Sequence, residues 1–133
     1  MKRTTITTAA AGLLTLALVG GGAGAAQAKG GHDREVRRAG HCTAATVWKV
    51  KAKHDDGRIE LEWEVDSNHA GQTWRVRVRD NGDRVVAARA TTGGASGSYS
   101  VERRIANKSG GDSLVARARN LRSGQTCVGR VTV

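Results

Sequence analysis

After Cys42 the chain alternates apolar and polar residues almost without a break, and clusters of turn residues divide the alternation into short runs. Period two sends successive side chains to opposite faces of an extended strand, so each run buries one face and wets the other. In "TVWKVKAK", Trp48, Val50 and Ala52 share a face and Lys49, Lys51 and Lys53 share the opposite one. In "RIELEWEV", Ile59, Leu61, Trp63 and Val65 oppose Glu60, Glu62 and Glu64. In "TWRVRVRDNG", Trp74, Val76 and Val78 oppose Arg75, Arg77 and Arg79. No later stretch repeats at a helical period, which confines the chain to antiparallel sheets with one buried face.

The first two runs predict a hairpin around His54–Gly57. Lys51 is then expected opposite Glu60, Lys49 opposite Glu62, and Trp48 opposite Trp63. Slipping by one residue would bury the charges, so the pattern sets this register only to within even steps. Asn81-Gly82 is a type I′ hairpin turn signal, because both residue types tolerate positive φ. "RVVAARAT" returns from that turn, a link over Gly93–Gly97 follows, and "SYSVERRIA", "SLVARARN" and "TCVGRVTV" complete seven strands. The expectation is an all-β, single seven-stranded antiparallel β-sandwich over residues 42–133. A closed barrel would use the same strands.

In outline, residues 44–133 resemble the immunoglobulin-like and fibronectin type III-like families. The "LEW" run sits where the second strand of such domains often carries a core tryptophan. "WRVRVRDNG" is similar to their third strand with its hairpin, and "VARARN" to their sixth. Two features depart from the pattern: Cys42 and Cys127 do not lie on the second and sixth strands, and Tyr99, the only tyrosine, falls in the fifth run.

The N-terminal region reads as an export signal. Lys2 and Arg3 precede an apolar run from Ala9 to Val19, and Ala26-Gln27-Ala28 has the small-x-small form of a cleavage site. Residues 1–28 are expected to be removed, leaving a flexible charged leader over 29–41, a domain over 42–133 and a secreted product. The run is too short for a membrane-spanning helix. Cys42 and Cys127 are the only cysteines. In an exported chain they are expected to form a disulfide rather than a metal site, since neither has a neighbouring ligand at zinc spacing.

Without Lys2 and Arg3 the chain keeps 20 basic residues against 12 acidic ones, a net charge of +8. Such a charge draws the protein to anionic polymers and surfaces, less strongly as salt rises. Part of the arginine content could reflect codon usage in GC-rich genomes. The sequence shows no nucleophile–base pattern, no cofactor motif and no metal-ligand set, so no enzyme is read from it. His54-Asp55-Asp56 reads as a solvated turn, and Asp80-Asn81-Gly82-Asp83 lacks the further ligands of an EF-hand. Asn107-Lys108-Ser109 reads as a turn, and Glu60, Glu62 and Glu64 as partners of lysines.

The arginines remain. With immunoglobulin-like topology the third, sixth and seventh of these strands would be neighbours. Arg75, Arg77, Arg79, Arg117, Arg119 and Arg130 would then gather on one outward face, while the other sheet stays near neutral. Arginine forks suit phosphate and sulfate oxygens, so an anionic cell-wall polymer, acidic glycan or other polyanion is the expected partner. No exposed aromatic is interleaved with these arginines, which disfavours base stacking and sequence-specific nucleic-acid reading. The alternatives from other classes are an inhibitor of a secreted hydrolase presenting Ala90–Ser98 or Ser67–Gln72, a small-ligand carrier, and a purely structural extracellular domain.

Overall fold

The computed structural model describes residues 34–133. The expected signal segment 1–28 lies outside the described residues, as do residues 29–33.

The alternating runs form antiparallel strands, and no helix occurs among the described residues. There are eight strands rather than seven: β1 Glu35–His41, β2 Val47–Asp55, β3 Arg58–Asp66, β4 Thr73–Asp80, β5 Asp83–Thr91, β6 Ser98–Ala106, β7 Ser113–Asn120 and β8 Thr126–Thr132. They build two four-stranded sheets of order β1-β2-β3-β6 and β5-β4-β7-β8. The additional strand, β1, lies in the segment expected to be a flexible leader. It pairs with β2 from Glu35↔Lys53 to His41↔Val47, so the sheet begins upstream of Cys42.

The β2–β3 register differs from the expected one by two residues, the even step that alternation leaves open. Lys49 faces Glu64, Lys51 faces Glu62 and Lys53 faces Glu60. The turn is the reason. Only Asp56 and Gly57 lie outside the ladder, both at positive φ (46° and 72°), which is a two-residue hairpin loop rather than a four-residue one. His54 therefore belongs to β2, opposite Ile59, and His41 to β1; neither lies in a turn or a leader. Asn81-Gly82 forms the expected tight turn, at φ 49° and 92°.

The inward faces of both sheets make the core. Trp48, Val50, Ala52, Ile59, Leu61, Trp63 and Val65 meet Trp74, Val76, Val78, Leu114, Ala116, Ala118 and Val131. Trp48 faces Val65, and Trp63 faces Val50. The two indoles nevertheless stack diagonally, with centroids 5.5 Å apart at 16°. Gly40 on β1 and Gly129 on β8 make room for them: an added Cβ would stand 2.6 Å from Trp48 Cζ2 at Gly40, and 2.7 Å from Trp48 Cζ3 at Gly129. Trp63 Nε1 donates to the buried Tyr99 hydroxyl (3.3 Å), which satisfies two polar groups inside the core. Cys42, just after β1, is bonded to Cys127 on β8 and ties the two sheets together.

Candidate functional site

The ladder of the β5-β4-β7-β8 sheet decides where the arginines go. β4 and β7 pair so that Arg75 lies opposite Arg119 and Arg77 opposite Arg117, while Arg79 shares a row with Val115 and, one strand further, Arg130. All six expected arginines are exposed on one outward face. Two more join them: Arg89 opposite Arg75, and Arg84 opposite Arg79. Strict alternation places Arg84 and Arg89, five residues apart, on opposite faces. A register shift at Val78/Arg79 removes that conflict, because β5 spends one extra residue, Val85, and its parity reverses. The break in alternation at Val85-Val86 is the sequence sign of this bulge.

The face therefore carries eight arginines in three rows across four strands. With strands about 4.8 Å apart and alternate residues about 6.7 Å apart, the grid measures roughly 15 by 15 Å. Four of its cross-strand pairs are arginine against arginine: 75/89, 75/119, 77/117 and 79/84. Like charges directly opposite destabilise a sheet. No acidic residue points outward among these rows, and among the described residues none of the eight arginines makes an ion pair. Asp83 stands at the rim, where Lys108 Nζ holds it at 2.9 Å and lowers its pKa below the ordinary aspartate range. Arg79 Nη1 donates to Gly82 O (2.7 Å), which steadies that side chain against the turn. Depressions of about 410 and 270 Å³ flank the Arg75–Arg77 ridge, the first reaching Arg117 and Arg119, the second Arg84 and Arg89.

The opposite sheet behaves differently. Its three central outward rows read Glu35–Lys53–Glu60–Arg104, Arg37–Lys51–Glu62–Glu102 and Ala39–Lys49–Glu64–Ser100. Each sums to zero. Lys53 Nζ lies 2.8 Å from Glu60 Oε2, Lys49 Nζ lies 3.3 Å from Glu64 Oε1, and Lys51 pairs with Glu62. The hydrogen bond from Lys53 holds Glu60 below the usual carboxylate range, and the same bond raises Lys53.

Sequence reasoning weighed Asp80 and Asp83 only as a calcium-like turn and did not bring them together with Lys108 and Asp112 in a second charged cluster, at the end of β4. Asp80 and Asp112 are both fully buried, and Asp80 Oδ1, Asp80 Oδ2 and Asp112 Oδ2 have no hydrogen-bond donor. Burial raises the Asp80 pKa, and the adjacent Asp112 carboxyl raises it further; Lys108, with Nζ 3.7 Å from Asp80 Oδ2, opposes the rise. Lys108 also holds the exposed Asp83, so its ammonium is shared between that rim carboxylate and the buried Asp80. This arrangement clamps the end of β4 to the loop that follows β6.

The loops Ser67–Gln72 and Ala90–Ser98 meet at the other end of the sandwich. Thr92 Oγ1 donates to His69 O (2.6 Å), Gly71 N to Thr92 O (2.7 Å) and Ser67 N to Gly97 O (3.1 Å). No protein-family model matches the chain, and neither a curated protein nor a solved structure shows significant similarity to it.

Proposed function

We propose that this protein is an exported, non-enzymatic β-sandwich of immunoglobulin-like topology that binds anionic polymers through the outward face of β5-β4-β7-β8. The observation that carries this reading is the segregation of charge: eight arginines without an ion pair among the described residues on one sheet, balanced rows on the other. The strand order β8-β7-β4-β5 matches the G-F-C-C′ sheet of variable-type immunoglobulin domains, which supports the topology. A disulfide is compatible with an oxidising compartment, and the signal-like residues 1–28 supply the export route. Binding is electrostatic. Guanidinium forks engage phosphate, sulfate or carboxylate oxygens, and a bound polymer relieves the repulsion between facing arginines.

The test compares two triple variants with the same change in net charge. Arg75→Ser/Arg77→Ser/Arg79→Ser empties the central strand of the arginine face, whereas Lys49→Ser/Lys51→Ser/Lys53→Ser alters only the balanced sheet. Retention on heparin and on isolated cell wall is followed across a salt series. The arginine variant is expected to elute at much lower salt, and its log–log salt slope to shrink by about 2 if each lost contact counts about 0.7. The lysine variant should elute near the parent. Equal behaviour of the two variants reduces the effect to net charge and ends the proposal.

A second reading is inhibition of a secreted hydrolase, favoured by the hydrogen bonds that brace Ser67–Gln72 against Ala90–Ser98. It predicts loss of hydrolase activity at stoichiometric protein. A panel of secreted proteases and glycosidases that remains fully active eliminates it for those enzymes.

A further inference from the structure

Beside the arginine face, at the end of the sandwich, lies a depression of about 460 Å³ with a different chemistry. Its walls include Thr46, Ser67, Gln72, Ser123 and Gln125, and Gly124 is common to it and to the Arg75–Arg119 depression. The two concavities therefore adjoin at Gly124. Among the described residues His69 is the only titratable side chain lining the end depression, so charge gives way abruptly to amides and hydroxyls.

These polar groups have capacity to spare. Thr46 Oγ1 donates to Gln125 Oε1 (2.9 Å), which orients that amide and leaves its two Nε2 hydrogens without a partner among the described residues. Gln72 Oε1 is closed off from solvent with no donor among the described residues. An unmet buried acceptor is costly, and rotating the amide toward the depression exchanges it for a ligand hydroxyl. Among the described residues no Phe, Tyr or Trp lines either concavity, and His69 is the one ring at their edge, which disfavours a run of stacked nucleobases.

We infer that the polymer held by the arginine face is an acidic polysaccharide. Its anionic groups lie on Arg75, Arg77, Arg117 and Arg119, and the hydroxyls of a neighbouring sugar enter the depression at Gln72 and Gln125. The inference rests on the polyanion-binding reading above. It adds that this end of the face selects for hydroxyls as well as charge. A polyanion without hydroxyls gains only the electrostatic part.

The experiment measures the affinity of the mature protein for a sulfated polysaccharide and for inorganic polyphosphate at one fixed salt concentration. The same measurement is made on Gln125→Ala/Ser123→Ala and, separately, on Gln72→Ala, with circular dichroism confirming the fold of each. Loss of two or three neutral hydrogen bonds should weaken polysaccharide binding by about five- to 150-fold and leave polyphosphate binding unchanged. Equal weakening for both probes, or for neither, overturns the inference while the arginine face stands. Binding of polyphosphate alone by the parent protein does the same. Failure of the parent to bind either probe overturns the polyanion reading and this inference with it.

Discussion

Gly129→Ala places a methyl group where two tryptophans already meet. The added Cβ would lie 2.7 Å from Trp48 Cζ3 and 2.8 Å from Trp63 Cζ3, well inside van der Waals contact. Trp48 has little room to retreat, because the same ring lies over Gly40 on β1, so close that an added Cβ there would stand 2.6 Å from Cζ2. β8 is equally constrained: Cys127, two residues away, is disulfide-bonded to Cys42, and Ala116 pairs with Gly129 itself. Overpacking a core by one methyl group usually costs about 1–3 kcal/mol, and a site closed on both sides belongs near the top of that range. Gly129 has no positive φ, so alanine meets no backbone penalty there and regains about 0.4–1 kcal/mol through the unfolded chain. The net loss is about 2 kcal/mol, a fall in Tm of roughly 8–16 °C for a domain of this size. Thermal unfolding followed by near-ultraviolet circular dichroism and tryptophan fluorescence reads it directly. Gly93→Ala is the control, since nothing lies within 4 Å of its Cβ position and its φ is not positive. It should leave Tm unchanged or slightly higher. If Gly129→Ala melts no lower than Gly93→Ala, the tryptophan stack is not held as tightly as the geometry requires.

Replacing both cysteines by serine opens a closure of 85 residues. The chain-entropy model predicts a loss of about 4–5 kcal/mol, and an unchanged unfolding free energy in a denaturant titration contradicts it. Gly97→Ala puts a Cβ 2.2 Å from His69 N at a φ of +64°, so the bond from Ser67 N to Gly97 O should break and show as faster amide exchange at Ser67. The Asp80–Asp112 pair predicts a pH dependence. Because the Asp80 pKa is raised in the fold, its stabilisation is complete below the ordinary aspartate value of 3.8 and is lost as pH climbs through the raised value. Asp80→Asn, whose amide can donate to Asp112 Oδ2, should remove that decline. A parent-minus-variant Tm difference that stays flat between pH 4 and pH 8 argues against the raised Asp80 pKa. Glu60 and Asp83, whose pKa values are lowered, act in the opposite sense and lose their contribution as pH falls through those lowered values.

Much of the fold is legible in the sequence because period two is unambiguous when one face is apolar and the other charged. Trp48, Trp63, Trp74 and the aliphatic residues two positions from each are buried as alternation requires. β1 was not legible for a physical reason. In "EVRRAGH" the core-side positions are Val36, Arg38 and Gly40, so an edge strand held by its ladder to β2 shows almost no apolar period. Arg38, exposed at a core-side position of that edge, is also the kind of inward-parity charge that discourages further strand pairing. The β2–β3 register was open by an even step because every such step keeps lysine against glutamate; only the turn distinguishes them. Arg84 and Arg89 were hidden by the β5 bulge. The Asp80–Asp112 contact depends on how the loop after β6 returns to β4, which no local pattern encodes.

Codon usage is the competing explanation for the arginines, and the two sheets supply an internal comparison. A compositional bias acts on every codon in the chain without regard to the sheet its residue will join. If it alone set the arginine content, charges of both signs would be interspersed on both outward faces. They are interspersed on β1-β2-β3-β6, where each central row balances, and not on β5-β4-β7-β8, where four arginine pairs face each other across the ladder. The second arrangement also opposes stability, since any one of those partners exchanged for glutamate would turn repulsion into attraction. A bias toward arginine can supply the residues. It does not explain why acids are absent from the one face where they would stabilise the sheet, and that absence is what binding a polyanion requires.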